Sequence, residues 1–268
     1  RINNYTLGGG LQNLRLSGTA AAGTGNELDN LLVGTSVANT LRGLDGNDTL
    51  DGGVGVDSLI GGSGDDYYII DNIGDRVFET ADQGIDTVEA RVTGYTLANG
   101  VENLILFGAV VAGTGNSLDN FITGNLASNS LNGGLGVGND TLMAAGSNNG
   151  LGQKDTLTGG AGVDYFILGN ESGAFYDDGN AANTGVGDYA YISDFTVGQD
   201  VLVLSGSDSD YTLFSGAAIG VTGMTGSGFY GLFREQGATD ELVAVIKSAT
   251  ALTSANMNNY AQFITLPA

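Results

Sequence analysis

Large apolar residues recur along this chain at a fixed step. Leu32, Leu41, Leu50, Leu59, Tyr68 and Val77 follow one another every nine residues, each inside a short run of β-formers. A run that brief is too short for a helix, and a strand turns every second side chain inward, so each ladder member predicts the buried centre of a short strand. Two residues before each member stands a small polar one: Asn30, Asn39, Asp48, Asp57, Asp66 and Asp75. The segments between them are glycine-rich: Gly43–Asp51 reads GLDGNDTLD, Gly52–Ile60 reads GGVGVDSLI and Gly61–Ile69 reads GGSGDDYYI. Turn and strand alternate with a nine-residue period, which predicts an all-β chain wound as a parallel β-roll, one coil to every two nonamers.

A second ladder carries the same pattern. Ile122, Leu131, Leu142, Leu157 and Phe166 are its apolar members, and Asn120, Asn129, Asp140, Asp155 and Asp164 precede them by two. Short insertions interrupt it in GGLGVGNDTL and near 144–150. Between the ladders Val88, Leu97 and Leu106 keep the nine-residue step. A longer period lies on top: YTLGGGLQNLRLSGTAAAGTGNELDNLLVG from Tyr5 matches YTLANGVENLILFGAVVAGTGNSLDNFITG from Tyr95 at an offset of 90. Ninety is a whole number of coils, as continuous winding requires, because any other offset puts apolar side chains on the wrong face.

Composition narrows the chemistry. The chain has 47 glycines and a single proline, yet 41% of it is hydrophobic, so it can build a thin core threaded between turns. Eight basic residues stand against 30 acidic ones, a formal charge of −22. That excludes nucleic acid as a partner, since phosphate binding needs lysine and arginine clusters, and it points to bound cations or to a halophilic surface. With no cysteine and no histidine, soft-metal and thiolate chemistry are excluded, and the carboxylates suit calcium. No apolar run approaches the ~18 residues of a membrane helix, so no membrane insertion is expected. The chain opens on Arg1 rather than methionine, which we read as a fragment or processed form.

Stacking sharpens the calcium reading. Strands in register lie ~4.8 Å apart, so Asp48 is expected above Asp66 and Asp57 above Asp75. Two carboxylates at that spacing repel by roughly 3–4 kcal/mol at an effective dielectric of about 20. A divalent cation between them, held by both carboxylates and by turn carbonyls that glycine brings close, reverses the sign.

The nonamers resemble the RTX, or haemolysin-type, calcium-binding repeat, over about Gly25 to Ile167. The resemblance implies which atoms hold the ions. One site takes Leu44, Gly46 and Asp48 with Gly61, Ser63 and Asp66. A second takes Gly53, Gly55 and Asp57 with Ile70, Asn72 and Asp75. A third takes Gly136, Gly138 and Asp140 with Gly159, Ala161 and Asp164, and Asp155 is a further acidic turn residue. Asn30, Asn39, Asn120 and Asn129 depart from the pattern, and those coils are expected to carry no metal. The roles of Asp86 and Asp188 are left open by the disturbed register.

From about Gly169 the nonamers stop. Residues 188–268 hold 10 of the 21 aromatics but only 9 of the 47 glycines. The segments DYAYISDF, DVLVLSG, DYTLFSG, GFYGLF and ELVAVIKS predict ordinary strands, and a short helix is expected around Ser254–Ala261. The expected division is a calcium-binding roll over 1–168 and a β-rich cap over 169–268 that covers the open edge. The same tail resembles the uncleaved secretion region of RTX proteins, which implies type I secretion machinery as a partner. Asp177–Asp178 with Glu171 are read as a loop or a further calcium site rather than catalytic carboxylates. No catalytic residue is assigned and the chain is not expected to be an enzyme. The function expected is a calcium-dependent folding and structural module of a secreted or cell-surface bacterial protein. The alternative is a surface-layer or adhesin segment, or a carbohydrate-binding appendage, with a polysaccharide or a second copy as partner.

Overall fold

The computed structural model describes residues 4–79, 84–144, 153–170, 173–176, 188–215, 221, 224, 227–235, 240–253, 259 and 261–264. These are strands and turns, with one 3₁₀ turn at Asp208–Asp210 and no α-helix among the described residues. The helix expected at 254–261 falls almost wholly outside them. No helix among the described residues is long and apolar enough to cross a membrane. The chain divides into two compact units, Arg1–Asn120 and Phe121–Ala268.

The first unit is a solenoid of short parallel strands. Asn4–Thr6, Ala22–Thr24, Thr40–Asp45, Ser58–Ser63 and Arg76–Phe78 form one wall. Asn13–Arg15, Leu31–Val33, Thr49–Asp51, Tyr67–Ile70, Thr87–Ala90 and Asn103–Leu106 form the other. Tyr95–Thr96 and Ala112–Thr114 pair separately. The chain alternates between walls, so each strand pairs with the one a full coil away. Leu32, Leu41, Leu50, Leu59 and Tyr68 are wholly buried between the walls, as their period predicts. The space is thin: a Cβ on Gly23 would lie 3.3 Å from a methyl of Leu41 and closer still to Leu14.

One stretch departs from the nine-residue expectation. Val88 pairs with Leu104, and Leu106 pairs with Ala90 instead. The coil from Asp66 to Asp86 is 20 residues long and the next, from Asp86 to Glu102, is 16. Together they equal two ordinary coils of 18, so phase is lost and regained, and the copies 90 residues apart stay in step. Leu97 and Leu106 are buried all the same.

In the second unit the coils lengthen. Phe121–Thr123, Thr141–Met143, Tyr165–Ile167, Val201–Ser205 and Ala261–Ile264 are parallel neighbours in one sheet. Ser130–Asn132, Lys154–Thr158, Tyr189–Ile192 and Glu241–Lys247 are parallel neighbours in another. Glu241–Lys247 then pairs antiparallel with Phe229–Arg234, which pairs antiparallel with Tyr211–Ser215. All five strands expected after residue 187 form. Val245, Leu242, Phe233, Tyr189 and Val221 pack together as a core there. Insertions in this unit are taken up in the turns, because the register of Ile122, Leu142 and Phe166 survives them.

Inside and outside alternate along each strand, and a pair of neighbouring leucines tests it. Leu32 is fully buried while Leu31 is 41% exposed. Leu32→Ala is expected to cost ~2–5 kcal/mol, and Leu31→Ala under ~1 kcal/mol, by urea unfolding in saturating calcium. Equal costs would contradict the assignment of faces.

Candidate metal centres in the turns

Each turn aspartate is placed by the strand that follows it, whose residue two positions on is locked in the core. The aspartate's side chain thereby turns back under the previous coil. One carboxylate oxygen accepts the backbone N–H of the ladder residue one coil earlier: Asp48 from Asn30 at 2.7 Å, Asp57 from Asn39 at 2.6 Å and Asp66 from Asp48 at 2.8 Å. Asp75 accepts from Asp57 and Asp164 from Asp140, both at 2.9 Å. The predicted stacking of Asp48 on Asp66, Asp57 on Asp75 and Asp140 on Asp164 is therefore present.

The other oxygen is the chemically telling one. Oδ2 of Asp48, Asp57, Asp66 and Asp164 is buried and has no hydrogen-bond partner. A carboxylate oxygen removed from water and left unsatisfied is costly. At Asp48 it abuts Gly43, where a Cβ would strike it and would lie 2.8 Å from the carbonyl oxygen of Gly61. At Asp57 and Asp164 the abutting residues are Gly52 and Gly159. Orphaned carboxylate oxygens beside glycine-flanked carbonyls form an all-oxygen donor set, and that set fits calcium.

The asparagine coils are built differently. Oδ1 of Asn30, Asn39, Asn120 and Asn129 accepts a backbone N–H of its own turn, from Asn26, Thr35, Asn116 and Asn125, at 2.6–2.7 Å. The amide then donates outward, from Asn39 to the Ala20 carbonyl at 2.8 Å and from Asn120 to the Glu102 carbonyl at 3.0 Å. The asparagine oxygen stands against the first glycine of its turn, where the aspartate coils present their unsatisfied oxygen, but here the turn's own N–H satisfies it, so it needs no ion.

The carbonyls expected as ligands fall into place with different fidelity. Those of Leu44 and Gly46 face Gly62 and Gly64 of the next coil, and that of Gly138 faces Gly162. Leu44 is the one non-glycine residue with positive φ, at 93°, among the described residues. The Ser63 carbonyl already accepts the Gly46 N–H at 2.8 Å. Gly53 takes the left-handed φ of 73° that its turn needs. Gly55, Gly136, Ala161 and Asn72 lie in the turns assigned to them, whereas Ile70 ends the strand Tyr67–Ile70, is fully buried and has its carbonyl taken by the Arg91 N–H at 2.8 Å, which removes it from the turn. Two aspartates differ from the rest. The second oxygen of Asp75 accepts the Asn72 N–H at 3.1 Å, and that of Asp155 accepts the Tyr176 hydroxyl at 2.5 Å. Both oxygens of Asp155 are thus engaged within the chain, since Asn129 donates to the first.

Four acidic residues join the turns that the ladder did not assign. Asp86 accepts the Asp66 N–H and Asp200 accepts the Asp164 N–H, so each continues a column past a coil of irregular length. Asp194 accepts from the N–H groups of Gly159 and Gly160, and Glu102 from that of Asp86. The Asp-x-apolar signature of Asp86–Val88 and Asp200–Leu202 was the available signal. Tyr68 and Phe166 are core residues, and the Tyr67 hydroxyl bonds Glu89 at 2.8 Å. Glu171, Asp177 and Asp178 lie outside the described residues.

Burial is the main force on these carboxyls. It pushes Asp48, Asp57 and Asp86 up to about 6 and Asp66 and Asp164 to about 7, against the lowering effect of the backbone N–H bonds. Neighbouring carboxylates add to the rise. The folded, calcium-free chain therefore holds more protons than the unfolded chain between about pH 4 and 7. That stabilisation is full below about pH 4 and is lost as pH rises through about 6–7. Calcium needs the ionised form, so its binding releases protons. In EGTA, circular dichroism is expected to show more β-structure at about pH 5 than at about pH 7.5, whereas calcium affinity rises over the same interval. An affinity flat across it would show the turn carboxylates ionised throughout.

The comparisons with known proteins agree with this geometry. A family model of the RTX calcium-binding nonapeptide repeat, in four copies, matches residues 33–68 and 149–172. A search of curated proteins finds no match. The first matched stretch spans the Asp48, Asp57 and Asp66 turns and the second the Asp164 turn. The matched nonamers are RTX calcium-binding repeats wound as a parallel β-roll, and their cofactor is calcium in several ions.

Proposed function

We propose that this chain is a calcium-triggered folding module of a secreted or cell-surface bacterial protein. The observation that carries the reading is the row of buried, unsatisfied carboxylate oxygens on Asp48, Asp57, Asp66 and Asp164. Without calcium these oxygens and their mutual repulsion oppose the roll, and the entropy of a glycine-rich chain opposes it further. Such a chain stays extended where calcium is scarce and folds where it is abundant. Extracellular modules bind calcium with dissociation constants of ~10⁻⁴–10⁻³ M, so each ion adds roughly 0.4–1.4 kcal/mol at about 1 mM. Each ion touches two coils, so filling one site orders half of the next and folding is cooperative.

The ligands we assign are the aspartates of the stacked turns, Asp48 with Asp66, Asp57 with Asp75 and Asp140 with Asp164, together with their turn carbonyls. Asp155, held by Tyr176, is left out. We further propose that the region after residue 168 caps the roll and carries the signal for type I secretion. The strands Tyr211–Ser215, Phe229–Arg234 and Glu241–Lys247 support the capping role, because an antiparallel meander ends a stack of parallel coils without offering another coil edge.

Calcium titration of the chain, followed by far-UV circular dichroism, is expected to give a sigmoidal gain of β-structure near millimolar calcium. A chain fully folded in EGTA at pH 7.5 would overturn the reading. Asp57→Asn is a complementary test, because it copies the asparagine coils. It is expected to remove one ion by equilibrium dialysis and to stabilise the calcium-free state by about 1 kcal/mol. An unchanged ion count would remove Asp57 from the ligand set.

A further inference from the structure

Where the column of Asp48 and Asp66 passes on to Asp86 it holds an arrangement found, among the described residues, at neither of the other turn pairs. Asp66, Glu79 and Asp86 each contribute a carboxylate oxygen, and the three oxygens lie within 4.8 Å of one another. Glu79 follows Phe78 as Gly61 follows Ile60, and Phe78 is the register partner of Ile60. Glu79 therefore stands directly beneath Gly61, where the previous coils carry the glycines of the repeat. A carboxylate thus replaces the hydrogen of the ordinary turn residue and points back into the column. The coil that carries it is 20 residues long instead of 18.

A second, independent feature converges on the same spot. Tyr68 is completely buried and its hydroxyl has no hydrogen-bond partner. The space that a Cβ on Gly61 would fill is bounded by that hydroxyl, by Oδ2 of Asp66 and by Oε1 of Glu79. Oδ2 of Asp66 is itself buried and unsatisfied. Core packing alone is served by a phenylalanine, as at Phe166, the matching position of the second ladder. A tyrosine whose oxygen ends beside the carboxylates of Asp66 and Glu79, with no hydrogen-bond partner taken up, is placed for a cation.

We propose that Asp66, Glu79 and Asp86, with the Tyr68 hydroxyl oxygen, form a calcium site that closes this column and binds more tightly than the repeat turns. The donors are all hard oxygens, which selects calcium over softer metals. Three carboxylates face the ion here against two in a repeat turn, and affinity in oxygen sites rises with ligand charge. The site fills first and holds the irregular coil in place while the weaker turns load.

Asp66 is shared with the turn pair above, so the test varies Glu79 and Tyr68, which belong to this site alone. Calcium binding to the whole chain is measured by equilibrium dialysis, and terbium(III) binding by luminescence excited through tyrosine. The wild type is expected to hold one calcium about tenfold more tightly than the rest. Glu79→Gln removes that tight ion and leaves the number and affinity of the weaker ones unchanged. Tyr68→Phe keeps the buried ring, so the core is preserved, and it cuts the emission of the first terbium equivalent at least severalfold. The proposal is overturned if Glu79→Gln leaves the tight ion in place, or if Tyr68→Phe leaves the first-equivalent emission unchanged. Where Glu79→Gln does not fold even in saturating calcium, the Tyr68→Phe emission decides. A wild type that binds the tight ion and no weaker ones would count against the repeat-turn ligands and not against this site.

Discussion

A carboxylate group has two oxygens, and in this fold they are given opposite fates. One accepts the N–H of the residue one coil earlier, at 2.6–2.9 Å, and so sets the pitch of the roll. The other is carried into the interior of the turn by the same geometry and finds no donor at Asp48, Asp57, Asp66 and Asp164. The bond that stacks the coils is therefore inseparable from the defect that a cation must repair. Burial raises the affinity of these groups for a proton, and a proton or a calcium ion answers the same deficit. Everything else in the solenoid is subordinate to this coupling. The glycines are where they are because a Cβ at Gly43, Gly52 or Gly159 would occupy the place of the carboxylate.

The asparagine coils show the same backbone solved without a metal. Asparagine keeps an acceptor in the place of the orphaned oxygen, where an N–H of its own turn satisfies it, and turns its N–H₂ group toward the previous coil, where it donates to carbonyls. Coils of both kinds stack in one register, since the N–H of Asn30 meets Asp48 and that of Asn39 meets Asp57. The chain thus alternates turns whose carboxylate oxygen lacks a donor with turns that satisfy theirs from within. In a solenoid each coil touches only its neighbours, so turns of the two kinds bear directly on one another. Tyr176 does for Asp155 what calcium does elsewhere, by supplying a hydroxyl to the second oxygen.

The periodicity of Leu32 to Val77 and of Ile122 to Phe166 was sufficient to place the core, the strands and the stacking of the turn aspartates. Period nine with aspartate two residues ahead of each apolar position leaves one winding that buries every leucine, and the walls pair accordingly. The choice of calcium was legible too, because a chain without histidine or cysteine and with stacked carboxylates offers nothing but hard oxygen. The strands after residue 187 were readable from their β-formers, although their pairing partners were not.

What the sequence alone could not determine is everything that depends on where irregular coils return. Val88 meets Leu104 and not Leu106, because a coil of 20 residues is followed by one of 16, and local period cannot show where the slack is absorbed. For the same reason Glu79, Asp86, Asp194 and Asp200 joined the turns only in three dimensions, each brought there by a coil of irregular length. The fate of Asp155 was hidden as well, since its partner Tyr176 lies 21 residues away in a segment with no repeat. The repeat determined the roll and its need for calcium, because both follow from short-range spacing. The tertiary structure decided which carboxylates remain unsatisfied, because that depends on which donor, from any distance along the chain, reaches each oxygen first.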